Sequence, residues 1–356
     1  MTPFVDSAFW KGRRVFLTGH TGFKGAWLSL WLAELGAEVT GYSLAPPSEP
    51  NLFTLAKVGE GLADIRGDIR DLDSMSAAMK KADPEIVIHM AAQALVRPSY
   101  ADPVGTYATN VMGTVNLLEA CRSLNNLRAA LIITSDKSYE NREWHCGYRE
   151  SDPMGGHDPY SSSKGAAEIV TSAMRRSFFA DGPSVASARA GNVIGGGDWG
   201  TDRLLPDMMR AFAEGETVII RHPDAIRPWQ HVLDPLAGYM MLIEKMFSPG
   251  QSFAEGWNFG PLEDNAQPVG HLVERAAALW GESAGWKLDP APKLHEATFL
   301  KLDISMARAR LGWRPRLDLE TALALTVNWY RAHQKGEDMP GFTRQQIKNY
   351  AAGAKA

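Results

Sequence analysis

The sequence predicts an α/β fold in which a doubly wound parallel sheet carries a smaller C-terminal α/β domain. Short apolar segments alternate with apolar-periodic segments of helical length four times before residue 134, which is typical of a parallel sheet with crossover helices. The chain has 356 residues and is 45% hydrophobic, enough for one large and one smaller lobe. We expect a nucleotide-binding domain over residues 1–190 and a second domain mainly over 191–340, part of which returns to the sheet. Residues 341–356, within a polar stretch that begins at Lys335, are expected to form a partly ordered tail.

Three glycines stand between the first predicted strand, residues 14–18, and the first predicted helix. The segment reads Gly19-His20-Thr21-Gly22-Phe23-Lys24-Gly25. Glycines at this spacing let the backbone turn tightly and bring amides and a helix N-terminus against a pyrophosphate. The pattern therefore predicts a Rossmann dinucleotide site, in which Lys24 either meets a phosphate or is simply solvated.

The second predicted strand ends without an acidic residue. Asp or Glu at this point commonly binds the 2′-hydroxyl of the NAD ribose, but the chain has Ser43-Leu44-Ala45. The choice between NAD and NADP therefore stays open at this point.

Composition excludes several other classes of protein. A net charge of -4 gives no electrostatic footprint for nucleic acid or an anionic membrane. Cys121 and Cys146 have neither zinc-site spacing nor a disulfide framework, no residue is assigned to a metal, and Cys121 is expected in the core. Without a leader-like N-terminus or an apolar run of about 20 residues, the expected compartment is the cytoplasm.

Two clusters of reactive side chains follow. Thr134-Ser135-Asp136-Lys137 comes directly after an apolar strand, at the sheet edge where such folds bind ligands. Asp158-Pro159 then opens a helix on which Tyr160 and Lys164 are four residues apart and share a face. A phenol has a pKa of about 10, which a neighbouring ammonium lowers. The pair therefore indicates a base for a hydroxyl proton, although alone it equally fits a core tyrosine beside a solvated lysine.

Later loops indicate a pocket for an anionic, ring-bearing ligand. A glycine-rich loop, residues 191–199, ends in Trp199, and Arg203, Arg227, Trp229 and Asn258 follow. Arginine suits a diphosphate because its planar fork makes paired charge-assisted hydrogen bonds. The alternative for each arginine is a surface ion pair.

Taken together, these motifs resemble the extended short-chain dehydrogenase/reductase family (NAD-dependent epimerases and dehydratases), over essentially the whole chain. The resemblance includes Leu302-Asp303-Ile304-Ser305-Met306-Ala307-Arg308 and Leu311-Gly312-Trp313, and it is most specific for nucleotide-sugar 4,6-dehydratases. It implies NAD as cofactor, with NADP as the alternative, and a CDP-linked glucose as substrate in deoxysugar biosynthesis for surface polysaccharide such as O-antigen lipopolysaccharide. It also implies a homodimer through a four-helix interface of residues 103–124 and 158–179, or a tetramer.

The resemblance further implies the site residues. The catalytic residues would be Ser135, Asp136, Lys137, Tyr160 and Lys164. The cofactor would meet residues 19–25 (Gly19, His20, Thr21, Gly22, Phe23, Lys24, Gly25), Ser43, Asp68, Ile69, Ala91, Gln93, Asn110, Tyr160 and Lys164. The substrate would meet Gln93, Arg97, Asn192, Trp199, Arg203, Leu204, Arg227, Trp229, Gln230 and Asn258.

One position departs from the family pattern. Dehydratases of other nucleotide sugars carry Asp-Glu where this chain has Asp136-Lys137. Asp136 keeps the role of acid for the departing hydroxyl, whereas Lys137 is either the C5 base or an electrostatic stabiliser of the enolate. The competing hypotheses are a 4-epimerase or reductase, which needs no Asp136, and a non-catalytic NAD(H) sensor, which needs no Tyr160.

Overall fold

The computed structural model describes residues 4–248, 251–281, 284–289 and 299–353. A seven-stranded parallel sheet forms its centre, in the order β11-β6-β5-β4-β1-β2-β3. The strands are β1 (Arg14–Thr18), β2 (Glu38–Ser43), β3 (Ala63–Arg66), β4 (Ile86–His89), β5 (Ala129–Ile133), β6 (Ser184–Arg189), β7 (Val193–Ile194), β8 (Thr217–Ile220), β9 (Ile226–Pro228), β10 (Gln230–His231), β11 (Gly256–Asn258), β12 (Ala266–Pro268) and β13 (Gly285–Leu288). The predicted doubly wound parallel sheet is confirmed.

Helices cover both faces of this sheet. They are α1 (Ser7–Trp10), α2 (Phe23–Glu34), α3 (Leu52–Leu55), α4 (Leu72–Ala82), α5 (Val96–Ala101), α6 (Pro103–Tyr107), α7 (Gly113–Cys121), α8 (Pro159–Phe178), α9 (Leu204–Glu214), α10 (Leu233–Met246), α11 (Val269–Trp280), α12 (Leu319–Gln334) and α13 (Met339–Ala351). Because both faces are covered, β4 and β5 are buried at every residue; β5 is a continuous apolar run, and so is β4 up to its last residue, His89.

Two hydrophobic layers hold the sheet between them. On one face, α2 and α10 contribute Trp27, Trp31 and Leu236 to a large cluster. On the other, Phe16 and Val87 of the sheet pack with Leu117 and with Cys121, whose predicted place in the core is confirmed. Burial of these apolar side chains stabilises the sheet in this strand order. The strand order in turn determines which strand ends meet at one edge.

The helix that carries the second reactive cluster begins as the sequence predicts. The Asp158 carboxylate accepts the Ser161 amide at 2.9 Å, which caps α8, and Pro159 occupies its first turn. Residues 103–121 form one continuous helical stretch, in which a π-helical segment, Ala108–Met112, joins α6 to α7.

The second half of the chain adds three small sheets and also returns to the main one. β7 pairs with β10, β8 with β13 and β9 with β12. β11 pairs with β6 at the edge of the seven-stranded sheet. The domain boundary at residue 190 stays a prediction.

The C-terminal segment corrects one expectation. Instead of a partly ordered tail, residues 339–351 form the helix α13, which buries Met339, Ile347 and Tyr350. Tyr350 donates to Asp234 of α10 at 2.8 Å, and Arg344 and Lys348 pair with Glu34 of α2. The sequence suggested a polar tail because the buried side chains are widely spaced among polar ones. Residues 354–356 of the predicted tail lie outside the described residues.

Within the described ranges, no helix combines the length and apolar character needed to cross a membrane.

Candidate active site

A single 3-10 turn after β5, Asp136–Ser138, presents the first cluster at the carboxyl edge of the sheet. The Ser135 hydroxyl donates to Asp136 Oδ1 at 2.9 Å and accepts the Lys137 amide at 3.2 Å. Both Ser135 and Asp136 are buried. The turn therefore sets the hydroxyl and the carboxyl side by side.

The other oxygen of Asp136 faces a glycine. A Cβ at Gly191 would lie 1.8 Å from Asp136 Oδ2, so only glycine leaves room for this carboxyl. Oδ2 is buried and has no hydrogen-bond partner in the described part of the chain. Because an orphaned buried carboxyl oxygen is costly, its geometry favours a bound hydroxyl as partner.

Tyr160 lies in the same cluster on α8. Burial raises the pKa of its phenol, the hydrogen bond with Ser135 lowers it, the charge of Asp136 raises it and that of Arg203 lowers it. Burial is the largest effect, so the pKa of this phenol stands above its ordinary value, and the charge of Arg203 opposes the shift. The predicted influence of Lys164 on Tyr160 stays a prediction.

Lys164 is buried and points back at the strand. Its Nζ donates to the Ile133 carbonyl at 3.3 Å. Burial lowers the pKa of Lys164 to about 8, against the opposing charge of Glu168. The Lys164 ammonium is thus held by the backbone of β5, through Ile133, and is attracted by Glu168 of its own helix, α8.

Lys24 is directed at this cluster and is not a solvated lysine. Burial lowers its pKa to about 7; Lys164 and Arg203 also lower it, and Asp136 raises it. Its Nζ lies 5.7 Å from the centre of the Tyr239 ring. Lys24 therefore lies within electrostatic reach of Lys164, Arg203 and Asp136, which places positive charge near this carboxyl, where an enolate would be stabilised.

Lys137 is partly buried, and its amide is bound by Ser135. Its position beside Asp136 leaves both of its predicted roles open.

The glycine turn forms a tight cradle before α2. Gly19 has φ of +79°, and a Cβ there would lie 2.6 Å from the Ala91 amide. A Cβ at Gly25 would lie 2.1 Å from the Gly19 carbonyl. Gly22 is the N-cap of α2 and supplies no side chain to its first amides. The residues present therefore fit a dinucleotide pyrophosphate, which these amides can bind.

Hydrogen-bonded side chains line the cradle next to Ser43, the residue at the end of β2 where the adenosine ribose of the cofactor is expected. Thr21 and Ser43 hydroxyls are hydrogen-bonded at 2.9 Å. His20 is fully buried with Nε2 at 2.8 Å from Asp64 Oδ1, and a Cβ at Gly41 would lie 2.4 Å from its ring. His20 therefore shapes the turn from behind, and burial lowers its pKa.

Other predicted cofactor residues support the cradle through their neighbours. Asp68 pairs with Arg70 at 2.5 Å, and Ile69 is buried. The Asn110 amide binds both backbone groups of Gln93 at 2.9 Å. The Gln93 side chain is in turn bonded within its own loop. Gln93 and Asn110 thus hold the loop after β4, and their predicted ligand contacts stay predictions.

The residues predicted to contact the substrate, called the substrate wall below, lie in several loops and helices, and some of their side chains are held in place by neighbours. Arg203 pairs with Asp198 at 2.8 Å and Arg97 with Asp202 at 2.6 Å, so an aspartate orients each of these two arginines. Arg227 donates to the Ile226 carbonyl at 3.0 Å. Asn192 has φ of +48° and Leu204 is the first residue of α9.

The aromatic and amide members of that wall are largely buried. Trp199 packs edge-on against Tyr330, while Trp229 is 7% exposed. Gln230 donates to the Gly191 and Phe259 carbonyls at 3.1 and 2.9 Å. The indole N–H of both tryptophans and Gln230 Oε1 are buried without partners among the described residues, as at a polar binding surface.

Asn258 does not belong to the wall. It is fully buried; Tyr139 donates to its Oδ1 at 2.7 Å, and its amide donates to the Tyr148 and Asp303 carbonyls. No polar atom of this side chain is left for a substrate, because neighbours from distant parts of the chain use them all. Its predicted role is therefore wrong.

Sequence reasoning missed three residues of the site. Tyr239 has a buried hydroxyl with no partner among the described residues and feels the charge of Asp136, yet it sits in an apolar helix without any signal. Asp198 holds Arg203. Glu168 follows Lys164 by four residues, a spacing that could have identified it.

The fold and this site define the class of protein. A family described as GDP-mannose 4,6 dehydratase matches residues 16–326, so the chain belongs to that family of nucleotide-sugar enzymes. Among relatives, a CDP-glucose 4,6-dehydratase from Salmonella typhimurium (strain LT2) is 52% identical over 352 residues, 97% of this chain and 98% of its own length. A dTDP-glucose 4,6-dehydratase from Streptomyces griseus is 27% identical over 90% of this chain and 94% of its own. The solved structure of MoeE5 with UDP-glucuronic acid and NAD is similar at TM-score 0.74 and 26% identity, over 90% of this chain and 99% of that one.

Proposed function

We propose that this protein is an NAD-dependent hydro-lyase that converts CDP-D-glucose to CDP-4-dehydro-6-deoxy-D-glucose and water. The observation that carries the proposal is the buried Asp136 carboxyl, with one oxygen free beside Ser135 and Tyr160. An acid at this place is needed to expel a hydroxyl, and a 4-epimerase has no use for it. The 52% identical CDP-glucose 4,6-dehydratase supports the choice of substrate.

The first step removes the C4 hydroxyl proton. Tyr160 takes this proton, with the Ser135 hydroxyl holding the sugar oxygen and Arg203 favouring the phenolate. Lys164, whose Nζ donates to the Ile133 carbonyl, adds positive charge to the site. Bound NAD supplies a hydride acceptor for C4 and later a hydride donor for C6.

The second step is the loss of water. The C4 ketone makes the C5 proton acidic, and Asp136 protonates the departing C6 hydroxyl from its buried position. Lys137 is either the base for the C5 proton or, as an ammonium, a stabiliser of the enolate. Lys24, which interacts electrostatically with Asp136, also favours an enolate when it is protonated.

The substrate diphosphate would lie on Arg97 of α5 and on two arginines that follow β7, Arg203 and Arg227. Arg203 and Arg97 are each oriented by an aspartate, and Arg227 lies on β9. Guanidinium groups held in one orientation lose little rotamer freedom when they bind a diphosphate. The orphaned indole N–H groups of Trp199 and Trp229 offer further donors.

The cofactor assignment is supported by the glycine cradle and by MoeE5, whose solved structure contains NAD. The Ser43 hydroxyl is hydrogen-bonded to Thr21. Arg66, the register partner of Ser43 on β3, donates to the Leu44 carbonyl at 3.0 Å and is paired with Asp64 at 2.7 Å.

An isotope experiment tests the dehydration. The purified protein is incubated with CDP-glucose in deuterated water, and the product is examined by mass spectrometry and NMR. Deuterium at C5 of a 4-keto-6-deoxy product is the expected result, because the C5 proton leaves and is replaced from solvent. Unlabelled product, or a C4 epimer, would refute dehydration. Parallel reactions with dTDP- and GDP-glucose test the cytosine preference.

We also propose a homodimer in which α8 and residues 103–121 pair with their copies in a four-helix interface. Large apolar side chains are exposed there: Val104 by 78%, Ile169 by 60% and Met112 by 52%. A surface of this kind on a globular protein marks an interaction site. A tetramer is the alternative outcome of a mass measurement, and the cytoplasmic location stays a prediction.

A further inference from the structure

A buried ion pair lies behind the proposed catalytic residues. Arg189, the last residue of β6, donates from Nη2 to Glu168 Oε2 at 2.8 Å, and both side chains are about 5% exposed. Neither side chain has a part in the chemistry proposed above. Removing two charges from water costs more free energy when the ion pair is buried than when it lies on the surface. The other contacts of the two side chains therefore indicate the role of the pair.

Glu168 reaches the segment just before the catalytic turn. Its Oε1 accepts the Thr134 hydroxyl, and its Oε2 also accepts the Ser187 hydroxyl at 2.6 Å. Burial raises the pKa of Glu168, but the Arg189 charge and these hydrogen bonds together hold it below its ordinary value. The carboxylate is therefore ionised and anchors the residue directly before Ser135.

Arg189 reaches the segment just after the catalytic turn. Its Nη1 donates to the Tyr139 hydroxyl at 2.6 Å, and Tyr139 donates onward to Asn258 at 2.7 Å. The Tyr139 ring also stacks on Tyr148 at 5.2 Å. Tyr139 is thus held by both a hydrogen bond and a ring contact, two residues after Lys137.

We propose that the Glu168–Arg189 pair is a positioning device that holds both ends of the turn carrying Ser135, Asp136 and Lys137 against the helix of Tyr160. The inference deepens the proposed function and rests on it. Its two anchors, Thr134 and Tyr139, bracket the reactive residues, and its carboxylate stands one helical turn after Lys164 on α8. The strand, the turn and the helix are therefore joined at one point.

The pair also bears on the charge of Lys164. Glu168 faces this ammonium from the same helix, Lys24 faces it from α2 and His89 from β4. Burial, helped by Lys164, lowers the pKa of His89 to about 3, so this imidazole is neutral near pH 7. Glu168 is then the one of these three groups that raises the pKa of Lys164.

The sign of the pH effect follows from these charges. With Glu168 ionised, the pKa of Lys164 is about 8. Without the carboxylate, the pKa of Lys164 falls further, and the ammonium is lost at a lower pH. The alkaline limb of the activity profile should therefore move to lower pH in Glu168→Gln, whereas a loss of packing alone would leave its midpoint in place.

The test combines kinetics with amide hydrogen exchange on the full chain. In Glu168→Gln we expect kcat to fall on the order of 100-fold with KM nearly unchanged. In the milder Tyr139→Phe, which keeps the ring stack, we expect a drop of about tenfold. In both, the amides of residues 134–139 should exchange faster. Glu255→Gln, which breaks the exposed pair of Glu255 with Arg310, is the control and should change neither.

The outcomes separate the two proposals. If the wild type dehydrates CDP-glucose but Glu168→Gln matches it in kcat, in pH profile and in exchange, the positioning role is wrong. If the wild type yields no product, the proposed function fails, and exchange of residues 134–139 still decides whether the pair holds the turn. If Glu168→Gln does not fold, Tyr139→Phe and Thr134→Val decide, and unchanged rates and exchange in both would overturn the inference.

Discussion

The Asp136 carboxylate rests directly against the Cα of Gly191, where an added Cβ would come within 1.8 Å of Oδ2. Gly191→Ala should therefore push the carboxyl out of its place. We expect kcat to fall about 100-fold, because a shift of about 1 Å in a catalytic group has an effect of that size. Steady-state kinetics with CDP-glucose would measure it.

The matched control for this variant is Gly285→Ala on β13, where a Cβ meets nothing within 4 Å. This variant should keep wild-type kcat. Equal activity of the two alanine variants would show that Asp136 does not depend on Gly191.

Asp136→Asn separates elimination from oxidation. The amide can still accept the Ser135 hydroxyl proton that Asp136 Oδ1 accepts at 2.9 Å, but it cannot donate an acidic proton to the C6 hydroxyl. We expect dehydration to slow by about 10²- to 10⁴-fold. Oxidation at C4 should persist, so that reduced nicotinamide accumulates and is seen by its absorbance.

The control for this variant is Asp73→Asn, a change of an exposed carboxylate in the first turn of α4. It should retain full turnover. Wild-type dehydration by Asp136→Asn would show that a group other than Asp136 protonates the departing hydroxyl.

The proposed dimer depends on an apolar helix surface. Ile169→Glu would place a charge at its centre on α8, where the side chain is 60% exposed in the single chain. Burying an unpaired carboxylate between helices costs several kcal/mol, so we expect a monomer by light scattering. Ile219→Glu on β8, at a side chain that is 54% exposed, is the control and should not change the mass. An unchanged mass for Ile169→Glu would place any dimer contact elsewhere.

Asp234 should make stability depend on pH. Burial raises its pKa to about 6, while the Arg316 and Leu317 amides and the Tyr350 hydroxyl oppose the shift. A carboxyl with a raised folded-state pKa stabilises the protein below its unfolded pKa near 4, and this contribution is lost as the pH rises through about 6. The loss is on the order of 3 kcal/mol.

Asp234→Asn removes this titration. Relative to wild type, its melting temperature should rise between pH 4 and pH 7, as measured by circular dichroism. Asp73→Asn should run parallel to wild type over the same range. A constant difference between Asp234→Asn and wild type would show that Asp234 keeps an ordinary pKa.

Local signals in the sequence predicted the features that local physics determines. The glycine spacing at residues 19–25, the Asp158 cap and the apolar run of β5 each depend on neighbours within a few residues. The strand order follows, since parallel strands with crossover helices have few ways to pack. The edge on which Ser135 and Tyr160 meet was therefore predictable.

Contacts between distant residues were not predictable in this way. Asn258 looked like a wall residue, but Tyr139, 119 positions away, uses its carbonyl oxygen. For Lys24 the sequence left open a phosphate contact or a solvated side chain, because it does not show that Lys164 and Arg203 lie within electrostatic reach. The helix α13 looked polar because Met339, Ile347 and Tyr350 are too widely spaced to form an obvious apolar stripe.

That last helix has a consequence for how the protein can fold. α13 contacts α2 through the pairs of Arg344 and Lys348 with Glu34, which are more than 300 positions away, and it contacts α10 through Tyr350 and Asp234, which are 116 positions apart. Loop closure over such distances comes late, because its entropy must be lost before the contacts form. The predicted nucleotide-binding domain, residues 1–190, contains the cradle and the catalytic helix. We expect it to reach its final packing only when α13, at the far end of the chain, docks on it.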